Sequence, residues 1–257
     1  MFLSIVSGSS GNASLIKYKN TSILIDCGVS GKKLIENLSS ADISGDEIDA
    51  ILVTHEHSDH IAGVGVISRR FDVPLYATEK TYKSMNIGNI RRDNIKVIEK
   101  NSDFEIGDIS VHSFPIPHDA ADPVGYSFLC GSKKYSVATD IGVMTDCIFQ
   151  AISGSDYIML EANHDIDMLM YGDYPLELKK RILGDRGHLS NDAAAKSAVE
   201  LLKSGTKHIM LSHLSDKNNA PSVAYKTVEN EFSKCGAVVG KDIGLCVANR
   251  YGVTKFL

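Results

Sequence analysis

The stretch Ile51-Leu52-Val53-Thr54-His55-Glu56-His57-Ser58-Asp59-His60-Ile61 decides how the rest of the chain is read. Residues 48 to 53 end in an apolar, β-branched run that reads as a buried strand, and 61 to 70 are amphipathic enough for a helix. The histidine cluster therefore sits on a strand-to-helix loop. Three imidazoles and a carboxylate crowded between positions 55 and 60 are poor packing material, because His and Asp are seldom buried without a partner. A cation is the partner they suit. Along an extended segment side chains at i and i+2 point the same way. His55 and His57 are therefore expected to close on one ion, while Asp59 and His60 turn with the helix start toward a second.

The motif resembles the signature of the metallo-β-lactamase fold superfamily, and further matches follow along the chain. Asp26, in Ile25-Asp26-Cys27-Gly28, resembles the family's early Asp, and His118, in Pro117-His118-Asp119, its third His. Asp140, in Thr139-Asp140-Ile141-Gly142, resembles the bridging carboxylate, and His213, in Ser212-His213-Leu214, the last ligand. The resemblance implies a first metal on His55, His57 and His118, a second on Asp59, His60 and His213, and Asp140 between them. Asp26 would orient the ligand loop through hydrogen bonds without ligating. The fold implied is α/β, or α+β: a four-layer αββα sandwich of two mixed sheets with helices outside, which alternating strand and helix signals permit. A His/Asp set with no thiolate accepts two divalent ions that could be zinc, manganese or iron.

Two cations roughly 3.5–4 Å apart lower the pKa of a shared water toward ~7 and clamp the attacked group, so the reaction class is metal-assisted hydrolysis. The Asp140 bridge with Asp59 and no Cys ligand favours phosphoester chemistry. His188, in Gly187-His188-Leu189-Ser190, resembles the extra His of phosphodiesterase members and, with Asp59, is the catalytic candidate, as leaving-group acid and phosphate ligand. The small-residue loop Ser7-Gly8-Ser9-Ser10-Gly11-Asn12 exposes hydroxyls and N–H groups suited to phosphate, making Ser9, Ser10 and Asn12 candidate contacts. Asn163 and His164, in the polar cluster Glu161-Ala162-Asn163-His164-Asp165 at a strand end, are two more. These stretches, with Tyr174-Pro175, resemble the YycJ/WalJ branch of the superfamily. That likeness implies a bacterial cytoplasmic 5′-to-3′ DNA exonuclease; the residues themselves do not separate DNA from RNA. Alternatives on the same metals are a thioester or lactone hydrolase and a metal-dependent regulatory binding module.

The 257 residues carry a net charge of −5, which argues against gripping nucleic acid through a general basic surface and leaves local positive charge to the metals. No Pro/Gly/Ser-rich linker divides the chain, so one domain over 1–257 is expected. Five cysteines without a C-x-x-C pair, no signal peptide and no long apolar span point to the cytoplasm and to no membrane partner. The cysteines read as small core residues. Strands are expected near 1–7, 13–18, 22–25, 48–53, 74–77, 95–98, 109–114, 124–130, 134–138, 156–160, 207–211 and 243–249. Helices are expected over 30–38, 61–70, 78–85, 144–152, 174–183, 193–202 and 223–235. His112 and His208 read as ordinary strand side chains.

Overall fold

Strands two to seven residues long, most of them built on apolar runs between turn residues or helices, assemble into two seven-stranded mixed sheets in the computed structural model, which describes residues 1–256. In chain order the elements are β1 (Phe2–Val6), β2 (Ala13–Tyr18), β3 (Thr21–Ile25), α1 (Gly31–Ser39), β4 (Ala50–Leu52), α2 (Ser58–Ile61), α3 (Val64–Phe71), β5 (Leu75–Thr78), α4 (Glu79–Ser84) and β6 (Ile95–Ile98). There follow β7 (Ser102–Ile106), β8 (Ile109–Pro115), β9 (Val124–Cys130), β10 (Lys133–Ala138), α5 (Asp146–Ile152) and β11 (Tyr157–Glu161). The chain closes with α6 (Ile166–Tyr171), α7 (Leu176–Leu183), α8 (Asn191–Lys203), β12 (His208–Ser212), α9 (Pro221–Lys234), β13 (Gly244–Val247) and β14 (Thr254–Lys255).

One sheet has the order β14-β1-β2-β3-β4-β5-β6 and the other β13-β12-β11-β10-β9-β8-β7. Each joins an antiparallel meander to a parallel run. In the first, β1, β2 and β3 pair antiparallel and β3 to β6 parallel. In the second, β7, β8 and β9 are the meander and β10 to β13 the parallel run. Parallel strands need crossover helices, and α1, α3, α5, α8 and α9 lie between successive strands of these runs. Contacts gather the chain into two compact units. One holds Met1–Pro115, Ala120–Gly131 and Asn249–Lys255; the other holds Ile116–Asp119, Ser132–Ala248 and Phe256.

In the first unit Leu3, Ile5, Leu15, Leu24, Ile51 and Val53 form one apolar cluster with Leu34 and Leu38 of α1 and Val64 and Ile67 of α3. Each such fully buried side chain contributes about 1.5–3 kcal/mol relative to exposure. The helix expected over 61–70 is instead two, because the chain turns at Gly63 to pass close to its neighbours. A Cβ on Gly63 would lie 2.4 Å from the Val29 carbonyl oxygen and 2.5 Å from Cys27 Sγ. In the second unit Ile158, Leu160, Ile209 and Leu211 are buried, as are Ala194, Ala198 and Leu201 of α8 and Ala224, Val228 and Phe232 of α9. Helix α6 was not expected; Asp165 caps it by accepting from Met168 N. The cysteine expectation holds for Cys27 and Cys130 and fails for Cys147 and Cys235, which lie exposed on α5 and at the end of α9.

Just before β11, Asp156 takes Lys207 Nζ at 2.7 Å, Lys134 N at 3.0 Å and Lys133 Nζ at 3.1 Å. Burial alone would raise its pKa, but the two ammonium groups and the N–H outweigh it and hold the pKa at about 2. A depressed folded pKa contributes stability above the unfolded value and loses it as pH falls through the folded one. Asp156→Asn is therefore expected to lower the thermal midpoint at pH 7, with the gap to the parent closing between pH 4 and pH 2 in a melting series.

Candidate metal centre

The functional residues sit where strands end. Asp26 follows β3, Asp140 follows β10 and His213 follows β12, and all three hold left-handed backbone, with φ of 58°, 60° and 57°. Non-glycine residues in that region cost free energy and persist where their surroundings over-determine them.

In the first unit the centre of the cluster is the Asp26 carboxylate, 3% exposed. Its Oδ1 accepts from Thr54 N at 2.8 Å, and its Oδ2 accepts from Thr54 Oγ1 and His60 Nδ1, both at 2.7 Å. The Thr54 hydroxyl gives its one proton to Asp26, so at 3.0 Å it accepts from His55 Nδ1. Both imidazoles are thereby fixed as the tautomer whose Nε2 carries the lone pair, the form a metal needs. The His55 ring lies 4.6 Å from that of His57 and 4.1 Å from that of His60. Asp59 Oδ2 is 3.6 Å from His60 Nε2, and the Asn12 amide nitrogen reaches both. Asn12 also exchanges bonds with the backbone of Gly8, and its own backbone ties to Asp59 and Gly28. The packing of this loop leaves no room at Gly28, where a Cβ would fall 1.6 Å from the Asp59 carbonyl oxygen. Ser9 and Ser10 are exposed at the tip of their loop.

In the second unit the organiser is Glu161, a residue the sequence reading left without a role. Its Oε1 accepts from His188 Nδ1 and His213 Nδ1, each at 2.8 Å. Its Oε2 accepts from Ile141 N at 2.7 Å and Leu189 N at 3.1 Å. Complete burial works against the charge, yet the two imidazoles prevail and hold this carboxyl below the usual range. Asp140, Glu161, His188 and His213 offer donor atoms that all lie within 4.8 Å of one another. Asp140 Oδ1 is 3.4 Å from His213 Nδ1 and 3.8 Å from His118 Nε2. His118 Nδ1 lies 3.1 Å from the Gly187 carbonyl, to which it donates, again leaving the lone pair on Nε2. Burial lowers the His118 pKa, which favours the neutral ligand form. Arg186 donates twice to the His118 carbonyl, and Arg181 pairs with Asp119.

The neighbours read as phosphate contacts divide. The Asn163 amide donates to the His213 carbonyl at 2.9 Å, and its backbone carbonyl accepts from Ser215 N and Asn219, so it holds the ligand-bearing turn. His164 is 1% exposed, neither ring nitrogen meets a hydrogen-bond partner among the described residues, and burial lowers its pKa to about 4. His188 is one-fifth exposed, the condition for a side chain that meets substrate. His112 of β8 pairs with Asp103 of β7 at the surface.

A model of the beta-lactamase superfamily domain matches residues 21–214. The chain belongs to the metallo-β-lactamase superfamily. It is 38% identical over 242 residues to the exodeoxyribonuclease WalJ of Streptococcus pneumoniae serotype 2 strain D39, covering 93% of this chain and 90% of that one. It is 39% identical to the exodeoxyribonuclease YycJ of Bacillus anthracis, covering 93% and 92%. These similarities place it in the WalJ/YycJ branch and make it a metal-dependent hydrolase. The metallo-β-lactamase fold protein YhfI of Bacillus subtilis superposes with a TM-score of 0.74 at 18% identity, over 99% of this chain and 100% of that one. The fold is thus the family's αββα sandwich. The donor chemistry fits the divalent ions that the family implies, since His55, His60, His118 and His213 each engage Nδ1 in a hydrogen bond and leave Nε2 for a cation, beside buried carboxylates.

Proposed function

We propose that this protein is a binuclear metal-dependent phosphodiesterase that degrades nucleic acid, acting in the cytoplasm as an exonuclease on DNA from the 5′ end. In this reading His55, His57 and His118 hold one divalent ion (zinc, manganese or iron) and Asp59, His60 and His213 a second, with Asp140 between them. The observation that carries it is the Glu161 hub, which fixes a candidate ligand, His213, and a candidate acid, His188, from one carboxylate. The likeness to two exodeoxyribonucleases over nine-tenths of the chain supports the substrate class.

Bound there, the ions would supply Lewis-acid polarisation of a phosphoryl oxygen and a water of lowered pKa. The chain's own residues do the rest. Asp26 and Glu161 keep the ligand imidazoles aimed. His188, its Nδ1 proton held by Glu161, presents Nε2 to the leaving oxygen and passes it a proton, and the carboxylate stabilises the imidazolium that makes this possible. Ser9 and Ser10, exposed on their loop, are the proposed phosphate contacts, His164 being too buried to meet one; Asn12 and Asn163 hold the ligand-bearing loops.

The test is incubation of single- and double-stranded DNA and RNA, labelled at either end, with the Mn²⁺- or Zn²⁺-loaded protein. A mononucleotide series released from the 5′ end of DNA is the result expected. Bis-p-nitrophenyl phosphate should also turn over, and fail to in Asp59→Ala. Turnover of thioesters or lactones with all phosphodiesters untouched would overturn the reading, as would a metal-loaded protein that hydrolyses nothing.

A further inference from the structure

The parallel strands β10 to β13 place one residue each in a row at their amino ends: Tyr135, Tyr157, His208 and Gly244 are in register across the four. The first three carry rings that stack. Tyr135 and Tyr157 lie 5.3 Å apart at 10°, and Tyr157 and His208 4.6 Å apart at 6°. On the fourth strand the row meets a residue with no side chain. The His208 ring leans over that gap, since a Cβ on Gly244 would fall 2.3 Å from its Nδ1.

Beside this end of the stack is a groove of about 600 Å³, lined by His208, Gly244, Tyr225 of α9, Lys207, Lys241 and Asp242. That volume lies within the range of small-ligand sites. The local charge is unbalanced toward the positive. Lys207 and Lys133 share the single carboxylate of Asp156, Asp242 spends an oxygen on Val238 N, and Lys241 stands on the rim. Burial and the nearby Lys133 lower the His208 pKa, which favours the neutral ring. The row is four residues before Glu161 along β11, roughly 13 Å from the catalytic end of the strand.

We propose that this groove is a second ligand site, which takes a planar aromatic anion of the nucleotide class. The ligand's ring extends the stack at His208, above Gly244, and its phosphate sits between Lys207 and Lys241. Stacking against an aromatic face is tolerant of the base, and ammonium groups bind phosphate as point charges, so the site selects the class rather than the sequence.

The test titrates 5′-dAMP, inorganic phosphate and adenosine into the full-length metal-loaded protein, followed by calorimetry, and takes as the groove's share the binding that substitutions in the groove remove. dAMP is expected to bind more tightly than either fragment. Adding His208→Ala or Lys241→Glu should weaken it about tenfold, while His208→Phe retains it. Bis-p-nitrophenyl phosphate turnover by His208→Ala and Lys241→Glu in the parent chain should be unchanged, which shows that both variants fold. Phosphate alone binding as well as dAMP, no dAMP binding, or binding indifferent to both substitutions would overturn the proposal.

Discussion

Glu161→Gln is expected to strip the protein of both metal affinity and turnover. The carboxylate accepts four hydrogen bonds, two from imidazoles and two from backbone N–H groups, and a glutamine side chain keeps one oxygen and gains two donors. Whichever way the amide turns, its NH₂ faces groups that also donate. Each buried donor left unmet costs about 1–3 kcal/mol, and the side chains respond by rotating away. His213 then loses the partner that fixes its tautomer, and outer partners of this kind are worth about 10–100-fold in metal affinity. His188 loses its orientation at the same time. Metal content measured by mass spectrometry after dialysis should fall in step with phosphodiester turnover. A Glu161→Gln protein that keeps both would show that the hub is scaffolding.

His188→Ala is expected to separate what Glu161→Gln joins. Removing this side chain leaves Glu161 with His213 and both backbone donors, so metal content should not change. A general acid contributes typically 10²–10⁴-fold, and cleavage of DNA, whose leaving oxygen needs a proton, should fall by about that factor. Bis-p-nitrophenyl phosphate has a leaving group that departs without one, so its turnover should fall far less. Equal losses on the two substrates would mean that His188 binds phosphate and donates nothing. The paired measurement therefore distinguishes an acid from an anion contact.

The sequence made some of this legible and hid the rest for identifiable reasons. The run from His55 to His60 announces itself because the side-chain period of an extended segment is two, and imidazoles at that spacing have no use in a core. Asp26, Asp140 and His213 share a pattern, a polar residue within two positions of the end of a largely apolar strand, and all three have left-handed backbone. Glu161 closes the apolar strand Tyr157–Leu160 in the same way, and this was the signal that could have found it. A glutamate there reads as a solvated strand end until two histidines, 27 and 52 residues away, are seen to share its oxygen. Asn12 and Asn163 were misleading in another sense. An asparagine near a small-residue loop serves a phosphate or a carbonyl equally well, and here their amides are engaged with Asp59, His60 and the His213 carbonyl. The split between α2 and α3 was hidden because it depends on how near Gly63 comes to Val29 and Cys27, which no local pattern records.

The most direct test of the central claim is the metal count per chain, by mass spectrometry after exhaustive dialysis, in the parent and in variants that lack some of the proposed ligands. The parent is expected to hold two divalent ions. His118→Ala with His213→Ala, which leaves His55, His57, Asp59 and His60 intact, is expected to lose both. A variant that still holds two ions, or a parent that takes up none, would contradict the assignment of one binuclear centre to these donors.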